Sequence, residues 1–130
     1  MSDIAEKKPL LLLGYEPIDQ DHQEFSELVK KTLAADNVAF PTLFDELLQH
    51  TRQHFEQENS LMETSAYPAI GEHRGEHTRV LGEFEQFRKR VQRGMIPFGR
   101  AFIQDRLVAW FDLHITTMDA ALVVHLKDKQ

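Results

Sequence analysis

The sequence predicts an all-α chain folded as an antiparallel up-down-up-down four-helix bundle with an extended N-terminal segment. Three observations predict it. Apolar residues recur at steps of three and four through four separate stretches, which is the period of an amphipathic helix. The breaks between these stretches are short and carry Asp36-Asn37, Tyr67-Pro68, and Gly94 with Pro97, residue types that stop or start helices. No strand pattern competes with the helical one.

Residues 1–17 read as a lead-in without helical periodicity, closed by Pro17, and residues 18–130 as the bundle domain. Asp19 is the expected N-cap of the first helix, whose apolar stripe is Ile18, His22, Phe25, Val29 and Leu33, ending near Ala35. The second helix starts near Pro41, a residue suited to a first turn. It carries Leu43, Leu47, His54, Glu58 and Leu61 on one stripe, with Phe44, Leu48, Phe55 and Met62 beside it. The third runs from about Ala69 to Gln92 through Ile70, His73, His77, Val80, Phe84, Phe87 and Val91. Gly75, between two histidines of that helix, is expected to allow close packing. The fourth places Ile103, Leu107, Trp110, His114, Met118 and Ala121 on its stripe, with a kink or restart expected near Thr116-Thr117.

With 130 residues, 42% hydrophobic and 28% charged, the chain has the length and composition of one globular domain. A net charge of −6 argues against nucleic acid and against an anionic membrane surface. The absence of cysteine excludes disulfides, thiolate zinc sites and iron–sulfur clusters. Lys7-Lys8 precede only four leucines, Leu10 to Leu13, too short a run for a signal peptide. No stretch is expected to approach the roughly 18 apolar residues of a membrane span. The expectation is a cytoplasmic monomer.

The chemistry lies in where the polar residues fall. His22, His54, Glu58, His73, His77 and His114 each occupy the apolar stripe of a helix. Burying them without partners costs several kcal/mol apiece. Taken singly, each has an ordinary reading. A lone His22 or His114 is more often a hydrogen-bonded core histidine, and His54 with Glu58 matches a common surface pair at four-residue spacing. His73 and His77, also four apart, are more specific, because neighbouring imidazoles on one face close on a single ion. Together, with every helix contributing and all pointing inward, they predict a metal site. Asp119 follows His114 by five residues, about 140° around a regular helix, so it approaches from the flank, more so if the helix distorts. His50 is expected in a solvated or end-of-bundle position, and His125 exposed. Phe25, Phe55 and Trp110 pack the core and would keep such a site dry.

Five imidazoles and two carboxylates are too many ligands for one zinc, and imidazoles exclude an all-oxygen calcium or magnesium site. They suit two ions sharing bridging carboxylates. No Glu-x-x-His pair of the ferritin-like kind occurs, so an imidazole-rich pair of irons with one unfilled position matches better.

The order His22, then His54-x-x-x-Glu58, His73-x-x-x-His77 and His114-x-x-x-x-Asp119 resembles the hemerythrins, specifically their single-domain bacterial members. The similarity extends from Gly14 to about Leu122 and includes Ile18-Asp19 ahead of His22, Phe55 after His54, and Trp110 four residues before His114-Ile115. The resemblance implies that His73, His77 and His114 hold one iron and His22 and His54 the other. Glu58 and Asp119 would bridge the two, with an oxo or hydroxo group between, and dioxygen would bind reversibly at the two-histidine iron. Many bacterial members carry a tryptophan several residues ahead of the Gly14 position. Here Lys7, Lys8 and the leucine run stand instead, which implies a different pocket wall. The expected function is oxygen storage, delivery or sensing without catalysis. The alternatives are a di-iron enzyme reducing peroxide or nitric oxide on the same site, and iron or zinc handling.

Overall fold

A computed structural model of the chain describes residues 12–129. Most of the lead-in, Lys7, Lys8 and the first two leucines included, lies outside the described residues. Four helices make the fold: α1 (Glu16–Ala34), α2 (Phe40–Thr64), α3 (Ile70–Gln92) and α4 (Ile96–Asp128). No strand occurs among the described residues.

The topology follows from which apolar residues meet. One cluster contains Ile18, Met62, Leu122, Val123 and Leu126, with Ile70 packed against it. These come from the start of α1, the end of α2, the start of α3 and the end of α4, so the four helices alternate in direction. A larger cluster, built on Phe25, Phe44, Phe55, Val80, Phe84, Phe102 and Phe111, fills the rest of the bundle. Between the two, along every helix, lie the buried histidines and carboxylates. The core is two apolar blocks separated by one polar layer.

The helix boundaries have local causes. Helix α1 begins at Glu16, with Pro17 in its first turn, so Asp19 is not its N-cap. Its carboxylate instead reaches back and accepts the backbone N–H groups of Leu13 (2.8 Å), Gly14 (2.9 Å) and Tyr15 (3.2 Å). The end of α1 is closed from another helix: the Arg100 guanidinium donates to the carbonyls of Leu33 and Ala35, groups that have no partner within the helix. Helix α2 ends in a Schellman turn, with Tyr67 N–H on Met62 O and Ala66 N–H on Glu63 O. Ala66 holds the left-handed position there, at φ 55°. Helix α3 ends the same way on Gly94, at φ 88°.

Three expectations need correcting here. Gly75 allows no close approach, since an added Cβ would meet nothing within 4 Å. The close approach is at Gly99, where a Cβ would sit 2.4 Å from Val91 Cγ2 and 2.9 Å from the Phe40 ring, as α4 crosses onto α2 and α3. Helix α4 does not restart at Thr116-Thr117. It runs unbroken and widens into π-helical turns at Phe102–Leu107 and Ile115–Asp119. It is also long and apolar enough, by length and composition, to cross a membrane, contrary to the expectation that no stretch approaches a span. Its inner face lies in the core, and outward-facing Leu113 and Val124, 64% and 63% exposed, add to its apolar character.

Candidate metal centre

The polar layer contains all seven side chains singled out in the sequence: His22 from α1, His54 and Glu58 from α2, His73 and His77 from α3, and His114 and Asp119 from α4. Every one is buried. They form two groups, each compact enough to hold an ion: His73, His77 and His114 in one, His22 and His54 in the other, with Glu58 and Asp119 common to both.

Each carboxylate divides its oxygens between the groups. Glu58 Oε1 lies 3.1 Å from Nε2 of both His73 and His77, while Oε2 lies 2.9 Å from His54 Nε2. Asp119 Oδ1 lies 3.1 Å from Nε2 of His73 and His114, while Oδ2 lies 2.9 Å from His22 Nε2. The π turn is what brings Asp119 here. A regular helix would set it about 140° from His114, but a turn closed by i→i+5 bonds returns after about five residues. His114 and Asp119, at the two ends of Ile115–Asp119, therefore face the same way.

The arrangement fits metal ions better than hydrogen bonds. His73 Nε2 and His77 Nε2 lie 3.1 and 3.3 Å from His114 Nε2, a spacing that hydrogen bonding does not satisfy around three imidazoles at once. Ligands about 2.1 Å from one ion and at right angles to each other are about 3 Å apart. His54 Nε2, Glu58 Oε2 and Asp119 Oδ1 are buried without a hydrogen-bond partner, although oppositely charged atoms stand close by. Buried polar atoms are seldom left so.

The protonation equilibria carry the same message. Burial alone pushes the His54 imidazole down and the carboxyls up, yet their mutual attraction wins. His54, beside Glu58 and Asp21, is raised to about 10, and His73 to about 9. His114 is also raised. Burial raises Glu58 and Asp119, but the imidazoles around them outweigh it, so Glu58 falls well below the usual carboxylate range and Asp119 to about 2. Burial, with His73 and His114 as neighbours, lowers His77 despite Glu58. The layer is an anionic pair that draws positive charge, and without metal that charge is protons.

Around the layer stand residues that sequence reasoning missed. Asp21 Oδ2 lies 3.0 Å from His54 Nδ1, and Asn59 Oδ1 3.0 Å from His77 Nδ1, which turns each Nε2 lone pair inward. Their only signal is position: Asp21 adjoins His22, and Asn59 adjoins Glu58. The aromatic wall was partly anticipated. Phe55 stacks on His77 at 3.9 Å, and Trp110 on His114 at 4.4 Å. Phe25 stacks on Phe111 at 3.9 Å, and it is Phe111 whose ring lies 6.3 Å from His22 and 6.0 Å from His54. His50 is half-buried, its Nε2 3.4 Å from the Asp21 carbonyl. His125 is half-buried rather than exposed, with Nε2 2.8 Å from Ser65 O.

With this geometry in hand, comparison with known proteins is direct. The model of the hemerythrin HHE cation-binding domain matches residues 13–126. The chain belongs to the hemerythrin family. A bacteriohemerythrin of Ralstonia nicotianae is 31% identical over 119 residues, covering 92% of this chain and 86% of the relative. One of Stenotrophomonas maltophilia is 30% identical over 121 residues, covering 90% and 78%. No solved structure matches. The buried cluster gives this hemerythrin domain a site able to hold metal.

Proposed function

We propose that this chain holds two non-heme irons and binds dioxygen reversibly, as an oxygen storage, delivery or sensing protein rather than an enzyme. The observation that carries the reading is the sharing of both carboxylates between a three-histidine group and a two-histidine group. His73, His77 and His114 would hold one iron, His22 and His54 the other, and Glu58 and Asp119 would be shared by both. The names of the relatives, bacteriohemerythrins, support it. Such an iron pair supplies the electrons that dioxygen borrows on binding and returns on release.

The chain's own residues do the rest. One imidazole fewer on the His22–His54 side would leave that ion one coordination position for a small ligand. Phe111, backed by Phe25, lines that side with rings that offer no acidic proton and exclude water, which favours release of bound oxygen over reaction. Asp21 holds His54 by its outer nitrogen and fixes the ring's aim.

The test is anaerobic reduction followed by air. The carrier reading expects about two irons per chain and a visible absorption that appears with oxygen and vanishes on its removal, over repeated cycles. Irreversible oxidation with turnover of added peroxide or nitric oxide would replace it with the enzyme. A different metal content would point to iron or zinc handling.

A further inference from the structure

One line of contacts runs from the polar layer out to solvent. Trp110 is the chain's single tryptophan and is half-buried. Its ring lies on His114 at 4.4 Å with 19° between planes, and meets Phe55 edge-on at 5.8 Å. The outer tip of the indole is tied: Nε1 donates to Glu76 Oε1 at 2.9 Å. Glu76 belongs to α3, next to His77 in sequence, but on a helix adjacent residues point about 100° apart, so it faces the flank of α4 while His77 turns inward. Arg79, one turn on, donates from Nη2 to the same oxygen at 3.0 Å and from Nε to Oε2 at 3.3 Å. The carboxylate therefore joins α3 to α4 at the rim of the layer.

We propose that Glu76 is a positioning residue that latches the Trp110 indole flat against His114, closing the outer wall on the three-histidine side. Three structural features support the latch. A half-buried indole has one apolar face and one polar tip, and a bond at the tip fixes the tilt that the face alone leaves free. The acceptor is ionised, which makes the N–H···O bond shorter and stronger than a neutral one. The covered group, the His114 side chain, is only 1% exposed, although its cover is itself only half-buried. Arg79 orients the carboxylate; as a solvent-exposed ion pair it adds little by itself. The consequence for metal retention rests on the proposed metal role of the cluster, whereas the latch is a property of the chain alone.

Two substitutions separate hydrogen bond from charge. Glu76→Gln removes the charge and keeps an oxygen at the same reach, while Glu76→Asp keeps the charge and withdraws it by one methylene. Glu76→Leu removes both. Because Trp110 is the sole tryptophan, emission and acrylamide quenching of the metal-free protein report its wall position directly. The leucine and aspartate variants should show red-shifted emission and stronger quenching, and the glutamine variant, which keeps a weaker neutral acceptor, should lie closer to the parent than to leucine. In the iron-loaded protein, a ferrous chelator should remove metal about tenfold faster from the leucine and aspartate variants, at the low end of effects for residues acting through a ligand's support. In a Trp110→Phe background, Glu76→Leu should add nothing, since its effect runs through the indole. The latch is overturned if the leucine and aspartate variants keep parental emission and quenching. It is overturned equally if glutamine behaves like leucine while aspartate behaves like the parent, or if the double variant loses iron faster than Trp110→Phe. A merely structural fastening would lower Tm without moving the tryptophan signal. Failure to load iron at all would refute the proposed function, while the fluorescence arm would still decide the latch.

Discussion

Glu58 and Asp119 differ from the histidines of the layer in offering two oxygens each, one to either group. Glu58, like Asp119, stands within 3.1 Å of three imidazoles, so its removal unbalances both halves at once. His50, one helical turn before His54, lies outside the layer with Nε2 3.4 Å from the Asp21 carbonyl. Glu58→Ala should therefore lose metal to a chelator far more readily than His50→Ala, by at least the 10–100-fold typical of support residues; metal content after a timed challenge checks the ranking. The inner residues were legible because a carboxylate or imidazole on an apolar stripe demands a partner. Asp21 and Asn59 were not, because each sits one residue to the side of a ligand position, where an acid or amide is ordinary surface. Phe111 was hidden by a different cause: Trp110, one position earlier, fits a stripe from Leu107 to His114 as regularly as Phe111 does.

The apolar stripe itself changes phase within α4. A regular repeat carried through from Trp110 and His114 leads to Met118 and Ala121, but the buried positions are Asp119, Leu122 and Val123, and Ala121 is exposed. The widened turn at Ile115–Asp119 shifts the stripe by one residue, and no apolar pattern announces it. Helices α1 to α3, without such turns, buried nearly the residues their periodicity indicates. Deleting Thr116, which is exposed, should restore a regular turn and rotate Asp119 out of register with His114. Metal analysis should then find the site depleted while circular dichroism still reports a helical protein. At the end of α2, Ala66 sits in the left-handed region with its side chain exposed. Glycine avoids the roughly 1 kcal/mol that a Cβ costs there, so Ala66→Gly should raise stability by about that amount, read from denaturant midpoints.

For the molecule as a whole, the polar layer makes stability depend on what neutralises it. Metal-free protein should be less stable than loaded protein, because protons replace metal charge imperfectly. Its pH dependence has a definite sign. Groups raised in the fold, His54 to about 10 and His73 to about 9, contribute stability fully present below their ordinary 6.5 and lost as pH rises through those values. His77, which is lowered, opposes them, losing stability as pH falls below 6.5. Asp119, lowered to about 2, contributes above its ordinary 3.8 and loses that contribution only as pH falls towards 2. With more imidazoles raised than lowered, the metal-free protein should weaken as pH rises from 6.5 towards 10. Denaturant midpoints across that interval check it, and a flat or rising profile contradicts it.

The bond between His22 and Asp119 spans 97 positions of the chain, with every other member of the layer lying between them in sequence. During synthesis from the N-terminus, five of the seven side chains emerge with the first three helices, already four imidazoles and one carboxylate. The second carboxylate, Asp119, arrives after the other six. Under the proposed metal role, the chain would offer only an incomplete chelate of four imidazoles and one carboxylate until α4 docks. Which ion ends up inside would then depend on how fast that partial chelate captures metal against how fast the last helix closes over it, making metal identity a matter of biogenesis as well as of affinity.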